Sequence, residues 1–267
     1  MKKPPNPSAA KKQIYFARTY RHLKFDWLAC LLFLLLFVLP AFVLILFFYD
    51  EMTWGMCQVA LWFLEKGGIA PAALQTSEFI PFLGPVYYLS MPSALPSFEF
   101  TLGNIAVSLA AVWLLSIGPH KGQPMVIYAT IILMIHTMSC AFFLLGRDLF
   151  PYTIAEYSDL YVKQQVGIWI SFLFLIGLIM GFLGRGDILR RIITVLVLMA
   201  YSILFGVVRY ALFLWILCRF TLLYVPIMFF ALGPFFDFLY FVMVYSISMN
   251  RMIRKYQSDR RDEWVWA

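Results

Sequence analysis

Apolar, uncharged runs of membrane-crossing length recur along this chain, separated by short polar interruptions. A helix needs about 20 such residues to cross a hydrocarbon layer of ~30 Å, so each run reads as one span. Five are plain: residues 27–48, 101–117, 124–145, 166–183 and 192–217. The last apolar region, 220–247, is too long for one simple helix and holds Pro226 and the pair Gly233-Pro234, where proline should divide it. The pattern therefore lays 222–231 on the membrane surface and makes 235–253 a sixth span.

The segment 50–100, between the first two spans, is patterned differently. Its first part, "EMTWGMCQVALWFLEKGG", places Trp54, Cys57, Val59, Leu61 and Trp62 at roughly helical spacing and ends in a glycine pair. That predicts an amphipathic helix lying in the interface. Its second part, "PVYYLSMPSALPSFEFT", alternates around a Pro/Ser/Ala turn and predicts a short β-hairpin running straight into the second span. Residues 146–165 read as a loop with aromatic and acidic residues but no motif. The chain shows no internal repeat and no soluble domain. The fold expected is an all-α polytopic membrane protein of about six transmembrane helices, with a basic tail (1–26), a membrane domain (27–253) and a second tail (254–267).

Composition agrees: 63% of residues are hydrophobic and 13% charged, far from the balance of a soluble domain. Charge adds orientation. Sixteen of the 21 Lys and Arg residues fall in the two tails, at Arg251 beside the second tail, and in the short loops 118–123 and 184–191, whereas Lys66, Arg147, Lys163 and Arg219 fall on the other side. By the positive-inside rule both tails are cytoplasmic. Eight acids (Asp50, Glu51, Glu65, Glu78, Glu99, Asp148, Glu156, Asp159) lie on the outer side, so the net charge of +7 reflects topology. With no basic-aromatic module, nucleic acid is not an expected partner; the lipid bilayer is. The first apolar stretch exceeds the 7–15 residues of a signal-peptide core, and "FFYDEM" offers no small-residue cleavage site, so it reads as a retained span. Cysteines 30, 57, 140 and 218 form neither a CxxC pair nor a zinc spacing, and no metal or cofactor is expected. Cys57 and Cys218 both fall on the outer, oxidising side.

Arg209, in "FGVVRYALFLW", is a cation well inside a span, away from its cytoplasmic end. On insertion scales such a residue costs roughly 2.5–3.5 kcal/mol at mid-membrane and tends to mark function. Counted from Ile192 it lies about 26 Å along its helix, near the outer edge of the core. It either snorkels to the headgroups or pairs with Asp237, which opens the sixth span at similar depth and would complete a charged floor to an outward-facing cleft. Asp237 also suits a helix cap or first-turn position. His136 and Cys140 share a helical face in the third span, a spacing that serves a thiolate nucleophile or ordinary packing. His22 and His120, in basic surroundings, suggest no chemistry.

The order of parts resembles the exosortase/archaeosortase superfamily. An outer amphipathic helix precedes a hairpin of the "LPSGTFE" kind, here "ALPSFEFTLG", leading into a membrane helix. "ILRRIITVLVLMAYSILFGVVRYALFLWIL" is similar to that family's helix with the catalytic Arg, and "GPFFDFLYFVMVYSISMNRMIRK" to its last span. The similarity covers 54–114 and 188–255, with the third and fourth spans as an insertion. The resemblance implies membrane cysteine transpeptidases that cleave C-terminal sorting signals, using Cys, Arg and a His or second Arg. Their acidic-x-Cys-Ser-Gly element falls on Glu99-Phe100-Thr101-Leu102-Gly103; the acid and the glycine match, but Thr101 holds the nucleophile slot. Arg209 matches the family Arg, and Phe236 or Asp237 stands where a His is expected. A Thr hydroxyl without a base is a poor nucleophile. The resemblance thus implies a non-catalytic, exosortase-associated membrane protein, a pseudoenzyme whose Glu99, Thr101, Gly103, Arg209 and Asp237 serve binding. Its partners would be an active exosortase or the sorting-signal helix of an envelope protein. Two other readings stay open: a transpeptidase or protease using Cys140, His136 and Arg209 as oxyanion stabiliser, and a small transporter or channel subunit. Paired broken helices would mark the last, and only one Gly-Pro break is visible.

Overall fold

The computed structural model describes residues 21–23, 27–69, 72–118, 122–182, 188–259 and 264–266. Most of the two tails, His120 and the 183–187 loop lie outside them, as does the side chain of His22. In chain order the elements are β1 (Arg21–Leu23), α1 (Trp27–Lys66), β2 (Ala73–Ser77), β3 (Val86–Ser90), α2 (Phe98–Ile117), α3 (Pro124–Gly146), α4 (Ile154–Phe182), α5 (Ile188–Phe220), α6 (Gly233–Asp259) and β4 (Trp264–Trp266). Six helical segments are long and apolar enough to cross a membrane, and the protein is an all-α polytopic membrane protein. The strands form two antiparallel pairs, β1 with β4 and β2 with β3.

Two π-helical turns interrupt the apolar helices, and both precede a proline. Leu34–Val38 lies just before Pro40 in α1, and Ile227–Leu232 just before Gly233-Pro234 at the start of α6. Proline has no N–H to return to the preceding turn and its ring crowds that turn's carbonyl, so the helix widens locally instead of breaking.

The helices are longer than their apolar runs. At 40 residues, α1 is about 60 Å long, roughly twice the ~30 Å hydrocarbon thickness, and the helix expected after residue 50 is its direct continuation. Its second half buries Tyr49, Thr53, Met56, Cys57, Ala60 and Leu64, a stripe at helical spacing. Of the residues expected on the apolar face only Cys57 is on it; Trp54, Val59 and Trp62 are exposed. Helix α4 begins at Ile154 rather than at 166. Its start is a capping box: Thr153 N–H donates to Glu156 Oε2 (2.7 Å), and Glu156 N–H donates to Thr153 Oγ1 (3.2 Å). The hairpin also differs from expectation. Val86–Ser90 is its second strand and Ala73–Ser77 its first, while the Pro/Ser/Ala stretch links it to α2, where Ser97 Oγ accepts from Phe100 N–H as the N-cap. Residues 222–231 pack largely against the rest of the protein. A 3₁₀ turn (Leu222–Tyr224) and the second π turn bury Leu222, Leu223, Val225, Ile227, Met228 and Ala231.

The chain forms two compact units, one of residues 1–42, 172–198 and 241–267, the other of 43–171 and 199–240. In the first, a Cβ on Gly177 would stand 2.6 Å from Val38 and one on Gly181 2.9 Å from Cys30 Sγ, so these glycines permit close helix approach. Thr194 and Ser248 hydroxyls meet at 3.1 Å across α5 and α6. In the second unit, β3 is a wedge among helices. Thr53 Oγ1 accepts from Tyr87 N–H (3.2 Å), Cys57 donates to Tyr87 O (3.2 Å), and Leu89 N–H is shared by Ser158 Oγ (3.2 Å) and Tyr210 Oη (3.0 Å). Val86 and Leu89 are fully buried. Backbone away from helices is tolerated in such a bundle because side chains satisfy it.

Candidate functional site

The second unit holds two polar clusters. The first is built on Arg209, which is 4% exposed and turned inward from α5. Its Nε donates to Tyr161 Oη (2.7 Å), Nη2 to Gln165 Oε1 (3.0 Å) and Nη1 to Gly233 O (2.9 Å). The carbonyl it captures on Gly233 is the first of α6, just past the π turn. The same Nη1 stands 2.9 Å from Asp237 Oδ1. The carboxylate is buried with its counter-charge at this distance. The Tyr161 and Phe205 rings lie 5.4 and 5.6 Å from the guanidinium carbon. Tyr161 Oη donates to Gly206 O (3.1 Å), and its ring stacks on Tyr210, which holds the hairpin.

Snorkelling is therefore replaced by internal pairing. In an apolar bundle, three acceptors and a counter-charge within reach outweigh a route to the headgroups. Asp237 is not a cap either: it lies beyond the first turn of α6, which contains no acid.

Gly206 gives the cluster its compactness. A Cβ there would fall 2.7 Å from the Gln165 amide, which is itself buried. Gly206→Ala is expected to displace Gln165 from Arg209 and to cost about 1–3 kcal/mol, read as a lower unfolding midpoint in detergent. Gly55→Ala is the control, since nothing lies within 4 Å of its Cβ position and alanine is the better helix former.

The second cluster joins α2, α3 and the 3₁₀ turn. Asn104 Nδ2 donates to Phe100 O (2.9 Å), which fixes the amide orientation and turns Oδ1 toward Tyr224 Oη (2.8 Å) and His136 Nε2 (3.2 Å). To bond that oxygen, Nε2 must carry the imidazole proton. Cys140 Sγ lies 3.7 Å from the same nitrogen, so it faces a donor rather than a base. The other ring nitrogen, Nδ1, is buried without a partner. Tyr224 stacks on His136 at 5.0 Å, and Ser139 donates to Leu223 O (2.9 Å). This arrangement is a packed polar latch, and neither His136 nor Cys140 shares a hydrogen bond or ion pair with Arg209.

Three other candidate residues join neither cluster. Glu99 and Gly103 are exposed on α2, and the buried Thr101 hydroxyl donates to Ser97 O (2.9 Å), which leaves it unactivated. Of the predicted set the structure brings together Arg209 with Asp237 and His136 with Cys140. Sequence reasoning missed Tyr161, Gln165, Asn104 and Tyr224. The spacing of Tyr157, Tyr161 and Gln165, four apart each time, was a usable signal once helix α4 is started at its capping box. Among the described residues no three His, Cys, Asp or Glu side chains gather as a metal site. No protein-family model, no curated protein and no solved structure matches this chain.

Proposed function

We propose that this chain is a non-catalytic, exosortase-like membrane protein that assists the sorting or processing of envelope proteins. In this reading it lies in the cytoplasmic membrane with both tails inside and the hairpin outside. The observation carrying the non-catalytic part is the inward engagement of Arg209. Each nitrogen of its guanidinium bonds a group of the protein itself, Tyr161, Gln165 or Gly233, with Asp237 as counter-charge, and none of these is a nucleophile with a base. The cation works instead as a clamp on α4, α5 and α6. The hairpin resting on that clamp through Tyr210 is the surface offered to an exosortase or to a sorting-signal helix.

The test is co-purification in mild detergent with an exosortase that has intact Cys, Arg and His, alongside release of a sorting-signal peptide by this chain alone. The two should co-elute, and Cys140→Ala should change neither that nor the absence of release. Release by the unmodified chain that Cys140→Ala abolishes would show an enzyme, and failure to co-elute would remove the companion role.

A further inference from the structure

The hairpin is tilted so that its tip, rather than its open end, faces the membrane. Two helices of the second unit show the tilt, α1 and α5, which as the first and fifth of six alternating crossings run in the same direction. Along α1, Tyr49 donates to Gly84 O, and a Cβ on Gly84 would stand 2.8 Å from Asp50 Oδ2, whereas Tyr87 meets Thr53 and Cys57 further along the helix. Along α5, Leu89 N–H meets Tyr210, and Met91 Sδ accepts from Cys218 (3.1 Å) two turns later. From Tyr49 to Cys57, and again from Tyr210 to Cys218, the helix advances about 12 Å. Strand β3 therefore climbs away from the hydrocarbon as it leaves Gly84. The uncharged run of α1 ends at Tyr49, with Phe47 and Phe48 exposed, and Asp50 and Glu51 follow. Gly84 thus lies at the level where hydrocarbon gives way to headgroups.

The tip itself is "FIPFL", Phe79 to Leu83, an uncharged run between Glu78 and Gly84. Leu83 N–H donates to Ile80 O (3.2 Å), which closes a four-residue turn around Pro81 and Phe82. Phe82 has a φ of 70°. Proline at the second place and a positive φ at the third are the marks of a type II turn, whose third residue is normally glycine because a bulky side chain is strained there. Here that place carries a phenylalanine whose side chain is fully exposed, while Phe79 packs edge-on against Tyr49 at 6.3 Å. Turning the chain does not call for such a residue; glycine would do it with less strain. Two residues of chain separate Phe82 from Gly84, which keeps it within about 7 Å of the interface level. An aromatic ring left bare by the protein at that level meets the layer in which aromatic side chains collect in membrane proteins.

We propose that the tip of the β2–β3 hairpin is a membrane anchor, with Phe82 inserted among the headgroups and upper acyl chains of the leaflet from which the hairpin rises. The lipid covers the ring and so offsets the strain of the turn. The tilt and the turn carry the proposal, which depends neither on the sorting role nor on the compartment that the hairpin faces.

The test uses the full chain in phosphatidylcholine nanodiscs, with a tryptophan placed at one end of the hairpin or the other. Phe82→Trp marks the tip and Ala73→Trp the far end of β2, both at exposed positions. The emission that each adds to that of the unmodified chain is then exposed to two quenchers. Lipid brominated high on its acyl chains should remove most of the Phe82→Trp increment, and aqueous acrylamide should remove little of it; the Ala73→Trp increment should show the reverse. On the unmodified chain, a nitroxide carried at the same depth on a lipid should broaden the amide signals of residues 82 and 83 and spare that of Ala73. Quenching of the Phe82→Trp increment by acrylamide alone would put the tip in water and overturn the proposal. Shielding from both quenchers would overturn it by showing protein over the ring, a second copy or a partner. Equal quenching by lipid at the two ends would do so by laying the hairpin flat.

Discussion

Arg209→Met should be among the most damaging single substitutions in this protein, lowering stability by about 3–5 kcal/mol, the range found when one member of a buried ion pair is removed. The cost comes from what is left behind. Asp237 would stay buried at 4% exposure with its counter-charge gone. Tyr161, Gln165 and Gly233 would lose their common donor as well. Unfolding in mixed micelles measures the loss, and a double-mutant cycle identifies its origin. Arg209→Met combined with Asp237→Leu should recover much of the stability, because the stranded carboxylate is gone. Additive losses would show that the pair contributes no coupling. Arg209→Lys should fall between, since one ammonium keeps the charge but cannot reach acceptors set out for a planar fork.

The second large effect belongs to the hairpin. Leu89 and Leu74 face each other across the two strands, yet Leu89 is fully buried and Leu74 is 37% exposed. Leu89→Ala should cost about 2–5 kcal/mol through lost burial and the cavity left among the helices. Leu74→Ala should stay within about 0.5 kcal/mol, as surface changes do. Thermal unfolding with limited proteolysis of the 78–85 link separates the two. Equal costs would mean that the strand is not wedged into the bundle as described.

The legible and illegible parts of this fold divide on physical grounds. Apolar runs locate the spans because lipid tolerates little else over their length, and Arg209 with Asp237 stood out as charges in such runs. Helix ends did not show, because α1 and α4 continue beyond their apolar parts through Asp50, Glu51, Glu156 and Asp159, where hydropathy falls although the helix does not stop. Strand β2 was invisible for a related reason: "ALQTS" is exposed and has no buried alternation to read. The partners of Arg209 were hidden in the segment read as a loop, since Tyr161 and Gln165 acquire a common face only when that segment is helical. His136 and Cys140 were correctly placed on one face, but their chemistry depended on Asn104, whose carbonyl oxygen claims the imidazole proton from another helix.

The β1–β4 pairing has a practical corollary. Strands that bond antiparallel, Arg21 opposite Trp266, must leave the bundle on one side, which an even number of crossings permits. A split fluorescent reporter with one fragment fused ahead of β1 and the other behind β4 should thus reassemble within single molecules. Its brightness per chain would stay constant on dilution into excess empty lipid, and whichever compartment lights up gives the orientation of the whole protein.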